Sequence, residues 1–128
     1  MQTLKTQTPP EFITAAQTLA ENLAASEPIV QYRQAKTGLE HDTPAQELLD
    51  KLSTTQAGLR NRQLRNAVRQ LDIDQLRSLQ SEAQANPVIL EFAETQHGAV
   101  AYLRDINQQI SQLIGLDFAS LARRSSCC

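Results

Sequence analysis

Tryptophan is absent from this 128-residue chain, aromatic residues make up 4% of it, and there are only 4 glycines and 2 cysteines. So little aromatic and β-branched material argues against a sheet protein, because strands favour those residues on a pleated, half-buried surface. The two cysteines, Cys127 and Cys128, are neighbours at the end of the sequence. Adjacent cysteines oxidised together close a strained ring, so a structural disulfide within the chain is not expected. No run reaches the roughly 18 apolar residues of a membrane span, and the opening MQTLKTQTPP lacks the charged-then-apolar layout of a signal peptide, so the expected location is the cytoplasm, without membrane insertion. The chain also lacks a glycine-rich phosphate loop, a GxSxG elbow, HExxH and paired CxxC spacings. His41 and His97 read as ordinary polar residues, and enzyme chemistry has no obvious seat.

What is present is helix-forming material. The sequence holds 17 leucines, 16 alanines and 16 glutamines, 49 of 128 positions. That length fits one compact domain or one extended helical hairpin. With few aromatics and many alanines the chain builds a thin core, and long helices of this kind bury their stripes against each other or against a second copy. A homo-oligomer is therefore expected.

The punctuation predicts an all-α fold. Thr8 before Pro9 and Pro10 predicts a capped helix start, and Phe12, Ala16, Leu19 and Leu23 form the stripe of a first helix over about 10–26. Ser26 and Pro28 interrupt it. A second helix, about 28–40, carries Ile29, Tyr32, Ala35 and Leu39. Thr43 and Pro44 repeat the cap-plus-proline signal for a third helix bearing Leu48, Leu49, Leu52 and Leu59, extending towards Val68 or Leu71. Asp72 to Asp74 predicts the next break, followed by a helix over about 74–85. Asn86 and Pro87 then open a helix of about 28 residues, whose positions Ile89, Phe92, Gln96, Ala99, Leu103, Ile106, Ile110 and Leu113 step by 3 and 4 as a heptad seam. At roughly 42 Å it should pack along another long helix, and the third is the expected partner. Gly115 ends it. The organisation is thus an N-terminal extension (1–9), a helical domain (10–121) and a cysteine-containing tail (122–128). The fold expected is a long antiparallel helical hairpin with short N-terminal helices, oligomerising through Ile89, Phe92, Leu103, Ile106 and Ile110.

Two features carry sharper readings. Between Lys51 and Leu71 there is no acid but five bases, and a continuous helix would align Arg62, Arg65 and Arg69, with Arg60 nearby, near the hairpin tip. Such a stripe can touch RNA phosphates or an acidic partner, although the net charge of −2 and the lack of neighbouring aromatics favour a solvated face. Glu40, Asp42, Glu47 and Asp50 read as helix-start charges rather than general acids and bases. Cys127 and Cys128 follow Arg123 and Arg124, which acidify thiols and make them available as soft ligands. Two thiolates do not complete a four-ligand set, so a cluster would need another subunit; an idle tail is the other reading.

The layout as a whole, over about 11–121, resembles the YlbF/YmcA family of small bacterial helical regulators. The shared features are the Ser26-Glu27 helix exit, the stretch Tyr32 to Ala35, and the long helix from Asn86-Pro87 to Ile114-Gly115. The resemblance implies a non-catalytic adaptor that assembles with itself or with YmcA-like and YaaT-like proteins. It further implies a complex that assists an RNase Y-type endoribonuclease in mRNA maturation and influences developmental regulation. In that family, subunit cysteines hold iron-sulfur clusters, and Cys127 and Cys128 match the position of the cysteine-bearing tail.

Overall fold

The computed structural model describes residues 7–117 and residue 120. Five helices follow one another: α1 (Pro10–Ala25), α2 (Glu27–Glu40), α3 (Thr43–Leu64), α4 (Gln70–Ala85) and α5 (Pro87–Ile114). The described residues contain no strand.

Local chemistry sets most of the boundaries. Ser26, extended at ψ 140°, separates α1 from α2, and Pro28 occupies the first turn of α2. At the start of α3 it is Asp42, not Thr43, that caps: its Oδ1 accepts the Ala45 N–H at 3.0 Å. A carboxylate one residue earlier satisfies the free amide and complements the helix dipole, which leaves Thr43 as the first helical residue. Thr8 does not cap α1 either. Pro9 holds that position and no side chain accepts there. Asn86 caps α5 as its position predicts, accepting from the Val88 and Ile89 amides at 3.0 and 3.2 Å. Gly115, at φ 75°, closes α5 in the left-handed conformation that suits glycine.

The break between α3 and α4 falls earlier than Asp72. Helix α3 ends at Leu64, Asn66 adopts φ 50°, and α4 begins at Gln70. Asparagine tolerates the left-handed region, so the reversal is made by residues 65–69.

Helices α3 and α4 form an antiparallel hairpin, and α5 packs chiefly against α2 rather than against α3. The reason is directional. The tight turn at His41 and Asp42 sends α3 out and α4 back, and the single residue Asn86 then returns the chain alongside α2. Helix α2 runs antiparallel to α5, with Tyr32 and Phe92 in tilted ring contact at 5.7 Å between centroids. Further along, Ser26 Oγ donates to the Asn22 carbonyl and receives the Tyr102 hydroxyl at 2.8 Å. The interior is thin: the buried apolar residues are Ala35, Leu39, Ala45, Ala83 and Ala99. Among the described residues no large side chain is fully buried.

Candidate functional site

A length mismatch exposes the first site. Helix α2 has 14 residues and α5 has 28, about 21 and 42 Å. The proximal half of the heptad seam therefore has a partner inside the chain: Ala99 is buried, Phe92 meets Tyr32, and Ile89 is half-buried. Beyond Tyr102 the seam runs past α2. Leu103 is 43% exposed and Leu113 86%.

Helix α1 flanks this distal half without closing it. None of its residues is buried, and Phe12, Ile13 and Leu19 point a large part of their surface to solvent. Between the two helices lies an open groove of about 390 Å³, lined by Leu19, Leu23, Val100, Leu103, Ile106 and Ile110, with Arg104 and Asn107 at its border. Three of the five residues read from sequence as an association face, Leu103, Ile106 and Ile110, thus share one groove. Ile89 and Phe92 lie on the α2 side of the same helix. The contribution of α1 was missed, although Phe12, Ile13, Leu19 and Leu23 carry a helical stripe, of which Phe12, Ile13 and Leu19 stay exposed.

The second site is the α3–α4 tip. The helix break divides the basic stretch, so Arg62, Arg65 and Arg69 do not form one stripe. Arg62 in the last turn of α3 donates to Asp72 Oδ1, the Arg69 backbone N–H donates to Asp72 Oδ2 at 3.0 Å, and the Arg69 Nε stands 3.6 Å from the same oxygen. Asp72 is only 5% exposed. The Arg62 hydrogen bond, then the Arg69 amide, hold its carboxyl below the ordinary value of 3.8, outweighing the opposing effect of burial. Arg60 and Arg65 remain exposed. A hint was present in the sequence: the first acid after a 21-residue acid-free basic run is Asp72.

A cleft between α3 and α4, about 510 Å³, is walled mainly by Thr54, Thr55, Gln75, Ser78 and Leu79, with Asp50 and Lys51 at one end. It offers hydroxyls and amides. Asp42 serves as a cap, and His41 Nδ1 donates to the Thr37 carbonyl at 2.8 Å. Among the described residues no group of three or more His, Cys, Asp and Glu side chains is placed to hold a metal ion, and no helix is long and apolar enough to cross a membrane. Cys127 and Cys128 lie outside the described residues.

This arrangement of helices, with its open apolar end, can be set beside known proteins. The sequence profile of the family described as control of competence regulator ComK, YlbF/YmcA, matches residues 12–114. The chain belongs to the YlbF/YmcA family. Its fold is similar to that of Bacillus subtilis RicA, whose structure was solved in complex with RicF: 17% identity, TM-score 0.73, covering 84% of this chain and 96% of RicA. A protein of unknown function (DUF964) from Bacillus stearothermophilus is also similar, at 20% identity and TM-score 0.58, over 82% of this chain and 93% of that one. No curated protein matches the chain in sequence. These solved structures share the all-helical architecture, and family membership supports a regulatory role.

Proposed function

We propose that this YlbF/YmcA-family chain is a non-catalytic regulatory adaptor working within a protein complex connected to RNA processing, of the kind in which an RNase Y-type endoribonuclease matures mRNA. The observation that carries the adaptor reading is the open groove between α1 and the distal half of α5: contiguous leucine, isoleucine and valine side chains that the other described residues leave open and that a partner's apolar surface would keep from water. RicA having been solved with RicF supports the same reading, since a chain of this fold meets a protein partner. YmcA-like and YaaT-like proteins are the partners proposed here, with a second copy of this chain as a further one. Cys127 and Cys128 are the residues proposed to supply thiolates to an iron-sulfur cluster. Two thiolates fill half of a four-thiolate set, so the remaining ligands would come from other subunits.

The test is an anaerobic pull-down of the tagged chain from its own cells, with partners identified by mass spectrometry and iron and sulfide measured. The Cys127→Ser, Cys128→Ser double variant is run beside it. Recovery of an endoribonuclease or a YaaT-like protein, with iron present in the wild type and lost in the variant, is the expected result. A sample free of partner proteins would defeat the adaptor reading, and equal iron in both samples would remove the cysteines from the ligand set.

A further inference from the structure

We infer that the apex of the α3–α4 hairpin docks on an anionic phospholipid surface, with Leu64, Val68 and Leu71 entering the headgroup layer and Arg60, Arg65 and Arg69 lying against lipid phosphates. No helix crosses the bilayer in this arrangement, and the inference does not rest on the groove between α1 and α5.

The apolar part of the apex is the first observation. Along the hairpin Leu59, Ile73 and Leu76 are half-buried. Leu64, the last residue of α3, is 81% exposed, Leu71, the second of α4, is 59% exposed, and Val68 in the turn between them is exposed as well. Single exposed leucines are ordinary on a protein surface, but three large apolar residues within eight positions at one reversal form a patch. It stands at the end of the hairpin away from the rest of the fold. Helix α3 packs chiefly on α4, and the pair joins α2 and α5 at its other end, through the turns at 41–42 and 86. Helix α1 begins and α5 ends elsewhere, since Leu19 and Leu23 lie beside Ile106 and Ile110. The apex is therefore convex.

The second observation is charge. No acid lies from Lys51 to Leu71, and five bases do. The next acid, Asp72, is buried and engaged by Arg62 and by the Arg69 amide, so the nearest exposed carboxylate is that of Asp74, which accepts from Gln70. Arg60, Arg65 and Arg69 stay exposed beside the apolar patch. Outside the basic run 14 acids face seven bases, so a net charge of −2 conceals an acidic body with a basic end. An anionic surface attracts that end and repels the remainder, which fixes the orientation of docking.

The combination selects lipid. RNA phosphates can meet the same arginines, but RNA gives the leucines nothing to enter, and the apex has no aromatic side chain on which bases would stack. An acidic protein would need an apolar hollow to receive a convex tip, whereas a headgroup layer yields around it. Each arginine close to an anionic surface enriches the chain there about fivefold, and an inserted leucine about tenfold. Contacts of this size give reversible docking rather than a permanent anchor.

The experiment is flotation of the full chain with vesicles on a density gradient, using phosphatidylcholine alone or mixed in equal parts with phosphatidylglycerol. Two double variants are run beside the wild type: Leu64→Gln, Leu71→Gln, and Arg60→Gln, Arg65→Gln. All four side chains are exposed and none touches Asp72, and circular dichroism checks that helicity is kept. The wild type is expected to float with the mixed vesicles and not with phosphatidylcholine, and to be released as salt rises from about 0.1 M to about 1 M, where the screening length falls from about 10 to about 3 Å. The arginine variant should partition about 25-fold less and the leucine variant at least about tenfold less. Failure of the wild type to float with the mixed vesicles, or equal flotation with phosphatidylcholine alone, would overturn the proposal. So would a leucine variant that floats as the wild type does while the arginine variant does not, because the apex would then recognise anions by charge alone, as on an acidic protein or a nucleic acid. Partner recovery in the cell pull-down is read separately, so failure here leaves the adaptor reading in place.

Discussion

Asp72 shows how one side chain ties two helices at a reversal. It sits in the first turn of α4, receives the Arg69 amide there, and takes a charged hydrogen bond from Arg62 across the turn. Because these contacts favour the ionised form, the folded carboxyl titrates below its ordinary value of 3.8. A depressed folded value means that the contribution is complete above the unfolded pKa and is lost as pH falls through the lower, folded one. Thermal midpoints measured from pH 7 down to pH 2 should therefore fall in acid for the wild type. The Asp72→Asn curve should start lower at neutral pH and decline less; parallel curves would show that another group governs the acid limit. Asn86 offers a second single-residue test. Its side chain satisfies two amides at the start of the longest helix, so Asn86→Ala should cost about 1 kcal/mol in urea denaturation, with the slope unchanged. The Asn86-Pro87 pair was readable in the sequence because cap and proline adjoin. Asp42 was less so, because Thr43 and Pro44 offered a competing cap one residue later.

At the scale of elements, α5 combines two roles along one stripe. Its proximal half is a folding surface, where Phe92 meets Tyr32 and Ala99 is buried beneath α2. Among the described residues its distal half is flanked by the edge of α1, with Ile106 and Ile110 half-buried and Leu103 and Leu113 exposed. Phe92→Ala should accordingly destabilise the chain by about 2 kcal/mol, less than full burial of a phenylalanine would give because the ring is half-exposed. Leu113→Ala, at a side chain 86% exposed, should leave the stability of a dilute sample within about 0.5 kcal/mol of wild type. Urea titration of both at low protein concentration checks the contrast, and equal effects would contradict the division of α5. Heptad spacing displayed the stripe clearly in sequence but not what lies on it. The periodicity of α3 and α2 is similar, and the choice between them was made by the direction of two short turns, 41–42 and 86. The same limit explains the α3–α4 break: the arginine-rich stretch is compatible with continuous helix, and only the Asn66 conformation together with the Arg62–Asp72 contact shows the chain reversing there.

For the whole molecule, the distribution of charge bears on what the adaptor touches. The net charge is −2, and the basic tip that suggested RNA contact directs two of its four arginines, Arg62 and Arg69, towards Asp72. Arg60 and Arg65 make no such contact and are exposed, and Arg69 itself stays 66% exposed; so small a set gives no more than a shallow dependence of affinity on salt, since each phosphate contact contributes a slope of about one. An adaptor whose connection to RNA runs through its partners should show no salt-dependent affinity of its own. Fluorescence anisotropy with a labelled single-stranded RNA, from about 50 to 200 mM salt, should therefore give the same flat response for the wild type and for Arg60→Gln, Arg65→Gln. Neither substitution disturbs Asp72, so the comparison is not confounded by unfolding of the tip. A steep salt slope in the wild type, reduced by about two in the double variant, would instead move recognition of RNA onto this chain. The open apolar groove on α1 and α5 would then be a site of assembly for an RNA-binding subunit rather than the chain's principal means of action.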